Sequence, residues 1–337
     1  MQYINFGHSG LKVSPLCLGC MSFGFGGAND WTINETDSRV IIRQALEAGI
    51  NFFDTANVYS GGESEKIVGK ALRDFAQRDE VVLATKAYPA WRQAPNTSGL
   101  SRKALMKSID DSLQRLGTDY VDLYIIHRWD EYTPIEETLE ALNDIVKAGK
   151  ALHIGASSMH AWQFSKALAL SEKHGWSKFI SMQNYVNLLY REEEREMLPL
   201  CSDQNIAVTP WSPLARGQLT RAWNATTNRS KNDPVVQALS QVMPECDQKI
   251  VEAVGKIAEQ RNVPRAQIAL AWLMSKQTIT APIIGASKKH HLDDAIGALD
   301  IRLTAEEMMA LEAPYRPHAV TGIDVPQSLE VSLTLTS

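Results

Sequence analysis

The chain has 337 residues, 44% of them apolar and 22% charged, with a formal net charge of −5. That length suits two ordinary domains or one large α/β barrel, and the apolar share is enough to bury a full core. The mild acidity without a dense basic stretch argues against nucleic acid as a partner, and the apolar runs are too short to cross a bilayer.

In chain order, Met1–Lys12 comes first. His8-Ser9-Gly10 is a turn signal between short extended stretches, which predicts a hairpin able to plug one end of a barrel. Met1-Gln2-Tyr3-Ile4-Asn5 lacks the basic-then-apolar layout of a signal peptide, so a cytoplasmic protein with reduced thiols is expected. Strand-like runs then alternate with amphipathic helical stretches. Leu16–Cys20 is followed by a helix over Glu35–Ala48, Asn51–Thr55 by Glu63–Phe75, Val81–Lys86 by Arg102–Leu116, and Val121–His127 by Pro134–Ala148. Ala151–Ser157 leads to Ala161–Lys173, Phe179–Gln183 to Glu192–Asp203, and Ala207–Trp211 to a long helical stretch from Asp247 to Lys276. Ala281–Gly285 and a helix over His290–Leu299 complete the series, and Thr304–Glu312 predicts one more helix. Ser101 and Thr133 suit helix N-caps, and Gly49, Gly117, Gly149 and Gly175 stand where helices should end. The polar segment from Arg216 to Glu245 is long for a connection and reads as a functional lid. Alternation alone fits an open doubly wound sheet as well as a barrel. Eight repeats favour a (β/α)₈ TIM barrel, read as one domain over residues 1–337.

Cys17-Leu18-Gly19-Cys20 matches C-x-x-C, but residues three apart on a strand point to opposite faces. With no second Cys or His pair nearby, the two read as packed or pocket-lining thiols, and no metal site is expected.

A barrel places its active site at the C-terminal ends of its strands. There the sequence sets Asp54, with Asn57 and Tyr59 just beyond, then Lys86, His127, Ser157-Ser158, Gln183-Asn184, Trp211-Ser212 and Gly285. Ionisable groups where apolar runs stop need partners. Reducing a carbonyl needs a hydride donor and a proton donor. A tyrosine titrates near 10, and an adjacent lysine ammonium should lower that. Tyr59 thus reads as the general acid, tuned by Lys86, with Asp54 holding Lys86 and His127 orienting the carbonyl. A dinucleotide-binding Rossmann motif fails because Gly24-Phe25-Gly26 meets Asn29 instead of a third glycine, and no G-x-S-x-G is present for a serine hydrolase.

Asp54-Thr55-Ala56-Asn57-Val58-Tyr59 with Gly61-Gly62-Glu63-Ser64-Glu65 resembles the aldo-keto reductase signature around the catalytic tyrosine. Thr85-Lys86, Ile126-His127, the run Leu116–Leu123 and the run Gly149–Ser157 are similar to further segments of that family, so the resemblance covers Leu11 to about Pro314. Trp211–Gly217 and Arg191-Glu192-Glu193-Glu194 look like its bacterial YajO-type branch. The resemblance implies an NADPH-dependent reductase of aldehydes or ketones, with Asp54, Tyr59, Lys86 and His127 catalytic. It implies that Ser157, Ser158 and Gln183 hold the nicotinamide carboxamide and that Trp211 stacks on the ring. Ser212, Pro213, Leu214, Arg216 and Gly217 would wrap the pyrophosphate, with Cys20 and Met21 nearby. Ile284, Gly285, Ser287, Lys288, His291 and Asp294 would serve the adenosine end, Ser287 and Lys288 taking its 2′-phosphate. Met21, Trp91 and Trp129 are expected as substrate walls beside Tyr59 and His127, which favours aromatic or apolar carbonyls, while Arg92, Arg128 and Arg216 leave room for sugar phosphates. The partner expected is a small carbonyl compound, with the protein a monomer or weak homo-oligomer. The alternatives are an NADPH-binding redox-sensing regulatory protein, or a sugar-phosphate enzyme linked to 1-deoxyxylulose 5-phosphate and thiamine precursors.

Overall fold

The computed structural model describes residues 1–24, 31–90, 94–225 and 244–323. Two short strands, β1 (Ile4–Asn5) and β2 (Lys12–Val13), form the antiparallel N-terminal hairpin. The eight strands that follow are β3 (Cys17–Gly19), β4 (Phe52–Asp54), β5 (Val82–Ala87), β6 (Val121–Ile126), β7 (Ala151–Ser157), β8 (Phe179–Gln183), β9 (Ala207–Val208) and β10 (Ile283–Gly285). They pair in parallel in the order β10-β3-β4-β5-β6-β7-β8-β9. The two ends of that order meet. Thr280 N donates to Val208 O at 2.9 Å and Ile283 N to Pro210 O at 2.9 Å, which closes the ring into a (β/α)₈ barrel.

Its interior is apolar because parallel strands covered on both faces carry few polar residues. Cys17, Phe52, Val82, Ala84, Leu123, Ile125, Ile180, Ala207 and Ile283 pack there with Phe6 and Val13 of the hairpin. Phe6 meets Phe52 edge-on, with ring centroids 5.4 Å apart. The hairpin therefore plugs the floor of the barrel, as expected from its turn signal. Cys17 lies in this interior cluster and Cys20 in the layer between strands and helices, both buried and unpaired, so C-x-x-C here is two packed thiols.

The outer layer comprises α1 (Glu35–Glu47), α2 (Glu63–Phe75), α3 (Arg102–Leu116), α4 (Ile135–Lys147), α5 (Ala161–His174), α6 (Met197–Asp203), α7 (Pro244–Arg261), α8 (Arg265–Met274) and α9 (Lys289–Gly297), followed by α10 (Ala305–Glu312). Ser101 caps α3 by accepting from Ala104 N, and Gly117 and Gly175 end α3 and α5 in the left-handed conformation. Thr133 does not cap α4; its hydroxyl donates to Asp130 and Pro134 takes the N-cap position. The stretch Asp247–Lys276 is two helices, not one. Asn262 turns left-handed at φ 52° and Pro264, which cannot continue a helix, caps α8. Glu192–Asp203 likewise divides into a short 3₁₀ turn over Glu192–Glu194 and α6. Most of the expected lid segment lies outside the described residues. Among the described residues no helix is long and apolar enough to cross a membrane.

Candidate active site

Each helix follows its strand, so strand C-termini and helix N-termini share one end of the barrel. Parallel register sets Asp54 beside Gly19 and Ala84, with Lys86 one strand over, two residues further along. Lys86 is wholly buried. Its Nζ donates to Asp54 Oδ1 at 2.5 Å, to the Thr55 carbonyl at 2.8 Å and to Tyr59 Oη at 3.2 Å, which uses all three ammonium protons. Tyr59 reaches this point from a tight turn in which Ser60 and Gly61 both adopt left-handed φ. His127, at the end of β6, meets the Tyr59 ring edge-on at 5.9 Å. Asp54, Tyr59, Lys86 and His127 therefore converge, although separated by up to 73 residues in sequence.

The electrostatics differ in one respect from expectation. Burial would pull the Lys86 ammonium down, but Asp54 and then Tyr59 outweigh it and hold it above its usual value. Burial pushes Tyr59 up, and the nearby Lys86 charge and hydrogen bond do not cancel that push. The idea that Lys86 alone brings Tyr59 below 10 is thus not met in the protein by itself: desolvation of the phenolate is the larger effect. Burial, with Lys86 and Arg128, lowers His127 well below its ordinary range, so its ring is neutral. Its Nδ1 is buried and without a hydrogen-bond partner among the described residues.

A second group adjoins the first. Gln183 Nε2 donates to Asp54 Oδ2 at 2.9 Å, tying the end of β8 to the charged centre. Ser157 Oγ donates to the Gln183 carbonyl at 2.7 Å, and Ser158 Oγ accepts from Trp211 Nε1 at 3.1 Å. Trp211 stacks on Tyr185, with centroids 4.4 Å apart and planes 20° from parallel. Ser212, Leu214, Arg216 and Gly217 are half-buried and Pro213 buried, where the chain leads into a kinked 3₁₀ segment (Ala215–Thr220) in which Ala215, Arg216 and Gly217 all take positive φ. Cys20 is buried, its thiol directed at the Leu18 carbonyl, and Met21 is half-buried.

The third group surrounds the start of α9. Ile284 is buried and Gly285 exposed; Ser287, His291 and Asp294 are half-buried, and Lys288 is the exposed N-cap residue. Burial, with His290 and Lys288, lowers His291. Trp129 packs at the end of β6 with its ring 6.1 Å from Trp162. Trp91 and Arg92, expected at the pocket, lie outside the described residues.

Charged centre, amide corner and cationic helix start follow one another around the C-terminal rim. A model of the aldo/keto reductase family matches residues 15–316. The chain belongs to that family. Aldo/keto reductases are oxidoreductases, and similar curated proteins agree. The chain is 43% identical to versiconal hemiacetal acetate reductase of Aspergillus parasiticus over 340 residues, covering 95% of this chain and 98% of that protein. It is 43% identical over 342 residues to a Schizosaccharomyces pombe protein that carries an aryl-alcohol dehydrogenase name, covering 94% and 96%. It is 40% identical over 350 residues to an aldo-keto reductase of Fusarium vanettenii, covering 96% and 93%. These relatives are fungal, whereas the residues around Trp211 and Arg191 pointed to a bacterial branch; that finer placement has no support here.

Three groups bonded or stacked within this cluster were not singled out from sequence. The Thr55 carbonyl is backbone, which no residue type signals. Tyr185, two residues after the end of β8, carries no motif that marks it. Glu193 stood in Arg191-Glu192-Glu193-Glu194, a run noted only for its likeness to one branch of the family, yet it is buried. Its partner Asn184 was placed at a strand end, but Glu193 lies nine residues further on, so spacing carries no signal of the pairing.

Proposed function

We propose that this aldo/keto reductase reduces aromatic or apolar aldehydes and ketones to alcohols, using NADPH. The observation that carries the reading is the Lys86 ammonium, buried and shared between Asp54 and Tyr59 Oη. Bound NADPH supplies the hydride. Tyr59, kept protonated by burial, holds its proton until charge develops on the carbonyl oxygen and then donates it. Lys86, 3.2 Å away, stabilises the phenolate so formed. Neutral His127 orients the carbonyl. Met21 and Trp129 wall the pocket, and the aryl-alcohol dehydrogenase relative supports an aromatic substrate.

The residues present fit the dinucleotide. Trp211 offers a half-buried face near Ser157, Ser158 and Gln183, whose amide and hydroxyls suit a carboxamide. Ser287 and the exposed Lys288 stand at the N-terminus of α9, where free backbone N–H groups and a cation suit a 2′-phosphate. His291, neutral, adds hydrogen bonding there but no charge.

NADPH oxidation with a simple aromatic aldehyde tests the reading. Tyr59→Phe is expected to lower kcat on the order of a thousandfold while NADPH affinity holds. Turnover near that of the wild type would remove Tyr59 as the acid. Lys288→Ala is expected to weaken NADPH binding about tenfold and leave NADH unaffected; equal losses would remove Lys288 from the phosphate.

A further inference from the structure

The run Glu192-Glu193-Glu194 follows β8 in a single 3₁₀ turn, and its three carboxylates have different surroundings. Glu192 meets Arg195 and the Tyr315 hydroxyl, and Glu194 meets Arg191 and Lys276. Glu193 has no ion-pair partner among the described residues, although it is 7% exposed. Burying a carboxylate away from any cation is costly, and an apolar side chain would pack there at less expense. Burial pushes its carboxyl up to about 7, against the pull of hydrogen bonds from Asn184 and Tyr190.

What the carboxylate gains is control of one amide. Asn184 Nδ2 donates to Glu193 Oε2 at 2.5 Å. An amide has one donor end and one acceptor end, so pinning Nδ2 turns Oδ1 the other way. There Oδ1 accepts from Ser158 N at 2.9 Å, a bond stronger than the 3.2 Å contact of the same N–H with the Gln183 carbonyl. Ser158 needs the support: it holds a left-handed φ of 50°, which non-glycine residues rarely adopt. In that conformation its Oγ receives Trp211 Nε1. Glu193, Asn184, Ser158 and Trp211 thus form one hydrogen-bonded line that ends at the ring proposed to stack on nicotinamide.

We propose that Glu193, acting through Asn184, is a positioning residue that sets the Ser158–Trp211 corner of the cofactor site; the cofactor part of this statement rests on the function proposed above. A reversed amide would face the Ser158 N–H with its own donors, so the carboxylate acceptor fixes both the amide and the strained backbone it supports.

The test compares Glu193→Met, which fills the space without an acceptor, with Glu193→Gln, which keeps one. Amide hydrogen exchange in the cofactor-free protein is followed for the segment containing Ser158, with β5 and β6 as internal controls, and NADPH affinity is measured by fluorescence titration. Glu193→Met is expected to speed exchange at the Ser158 segment and weaken NADPH binding, each about tenfold, with β5, β6 and thermal stability unchanged or improved. Glu193→Gln is expected to restore both to within about twofold of the wild type. Asn184→Leu, which breaks the same line from the other side, should repeat the Glu193→Met result and stands in for it if that variant does not fold. Unchanged exchange at Ser158, equal loosening of β5 and β6, or a Gln variant as impaired as the Met variant would each overturn the positioning role. A wild-type protein that fails to bind NADPH would instead remove the proposed cofactor, while the exchange data would still decide what Glu193 does to Ser158.

Discussion

His127 shows how a single environment fixes a protonation state. Its ring is held neutral chiefly by burial, with the Lys86 and Arg128 charges adding to the effect. The unfolded chain binds a proton near 6.5, while the folded chain refuses it until well below that value. As pH falls through that window the unfolded state gains protons and the folded state does not, so the stability tied to His127 is present above about 6.5 and lost on acidification. The expected outcome is that His127→Gln, which has nothing to titrate, loses less thermal stability than the wild type between about pH 7 and 5. Parallel melting-temperature curves for the two proteins would mean that His127 titrates normally. At this scale the sequence was informative: an apolar run ending in Lys86 or His127 needs an explanation, and the structure brings both residues to Tyr59. It was misleading about the direction of the Tyr59 shift, because residue types reveal the neighbouring charge but not how thoroughly a hydroxyl is desolvated.

Helix packing on the barrel is controlled at a few close approaches. Gly69 lies in the middle of α2, where glycine is unfavourable by propensity. A Cβ built there would stand 1.9 Å from the Leu116 carbonyl oxygen at the end of α3. The absence of a side chain therefore lets α2 and α3 touch through backbone. Gly69→Ala should gain helix propensity yet lose about 1–3 kcal/mol overall, because the helices must separate; chemical denaturation checks this, and a stabilised variant would show that α2 can shift without loss. The same helix contributes Glu65, wholly buried, which accepts from Arg115 on α3 and from Thr85 next to Lys86. Movement of α2 is thus expected to be felt at the tyrosine turn that precedes it. Element positions were legible from periodicity, capping and glycine punctuation, and α2, α3, β7 and β8 begin and end where those signals placed them. The errors fell where short-range signals compete. Asn262 and Pro264 break what periodicity alone joins into one helix, and Thr133 found Asp130 instead of a helix end.

Taken whole, the barrel separates stability from chemistry by its two ends. The hairpin plugs the floor, and the ionisable groups gather at the opposite rim. Phe6 is wholly buried against Phe52, so Phe6→Ala is expected to cost about 3–5 kcal/mol. Turnover of the folded fraction should stay near normal, since Phe6 packs on Phe52 at the opposite end from the ionisable groups; a fall in kcat matched to the fall in stability would show that the two ends communicate. Closure of the ring was expected from the count of eight strands, but the bonds that make it, from Thr280 and Ile283 to the carbonyls of Val208 and Pro210, could not have been read from sequence, because β9 is only two residues long.

The complete enclosure of Lys86 has a consequence for chemical modification. An amine must lose a proton and meet its reagent before it can be acylated, and this one is charged, saturated with acceptors and sealed from solvent. Lysine-directed reagents added to the folded protein will therefore decorate the surface and spare the amine on which the centre is organised, so covalent marking of Lys86 records how often the barrel opens and not how the closed site reacts.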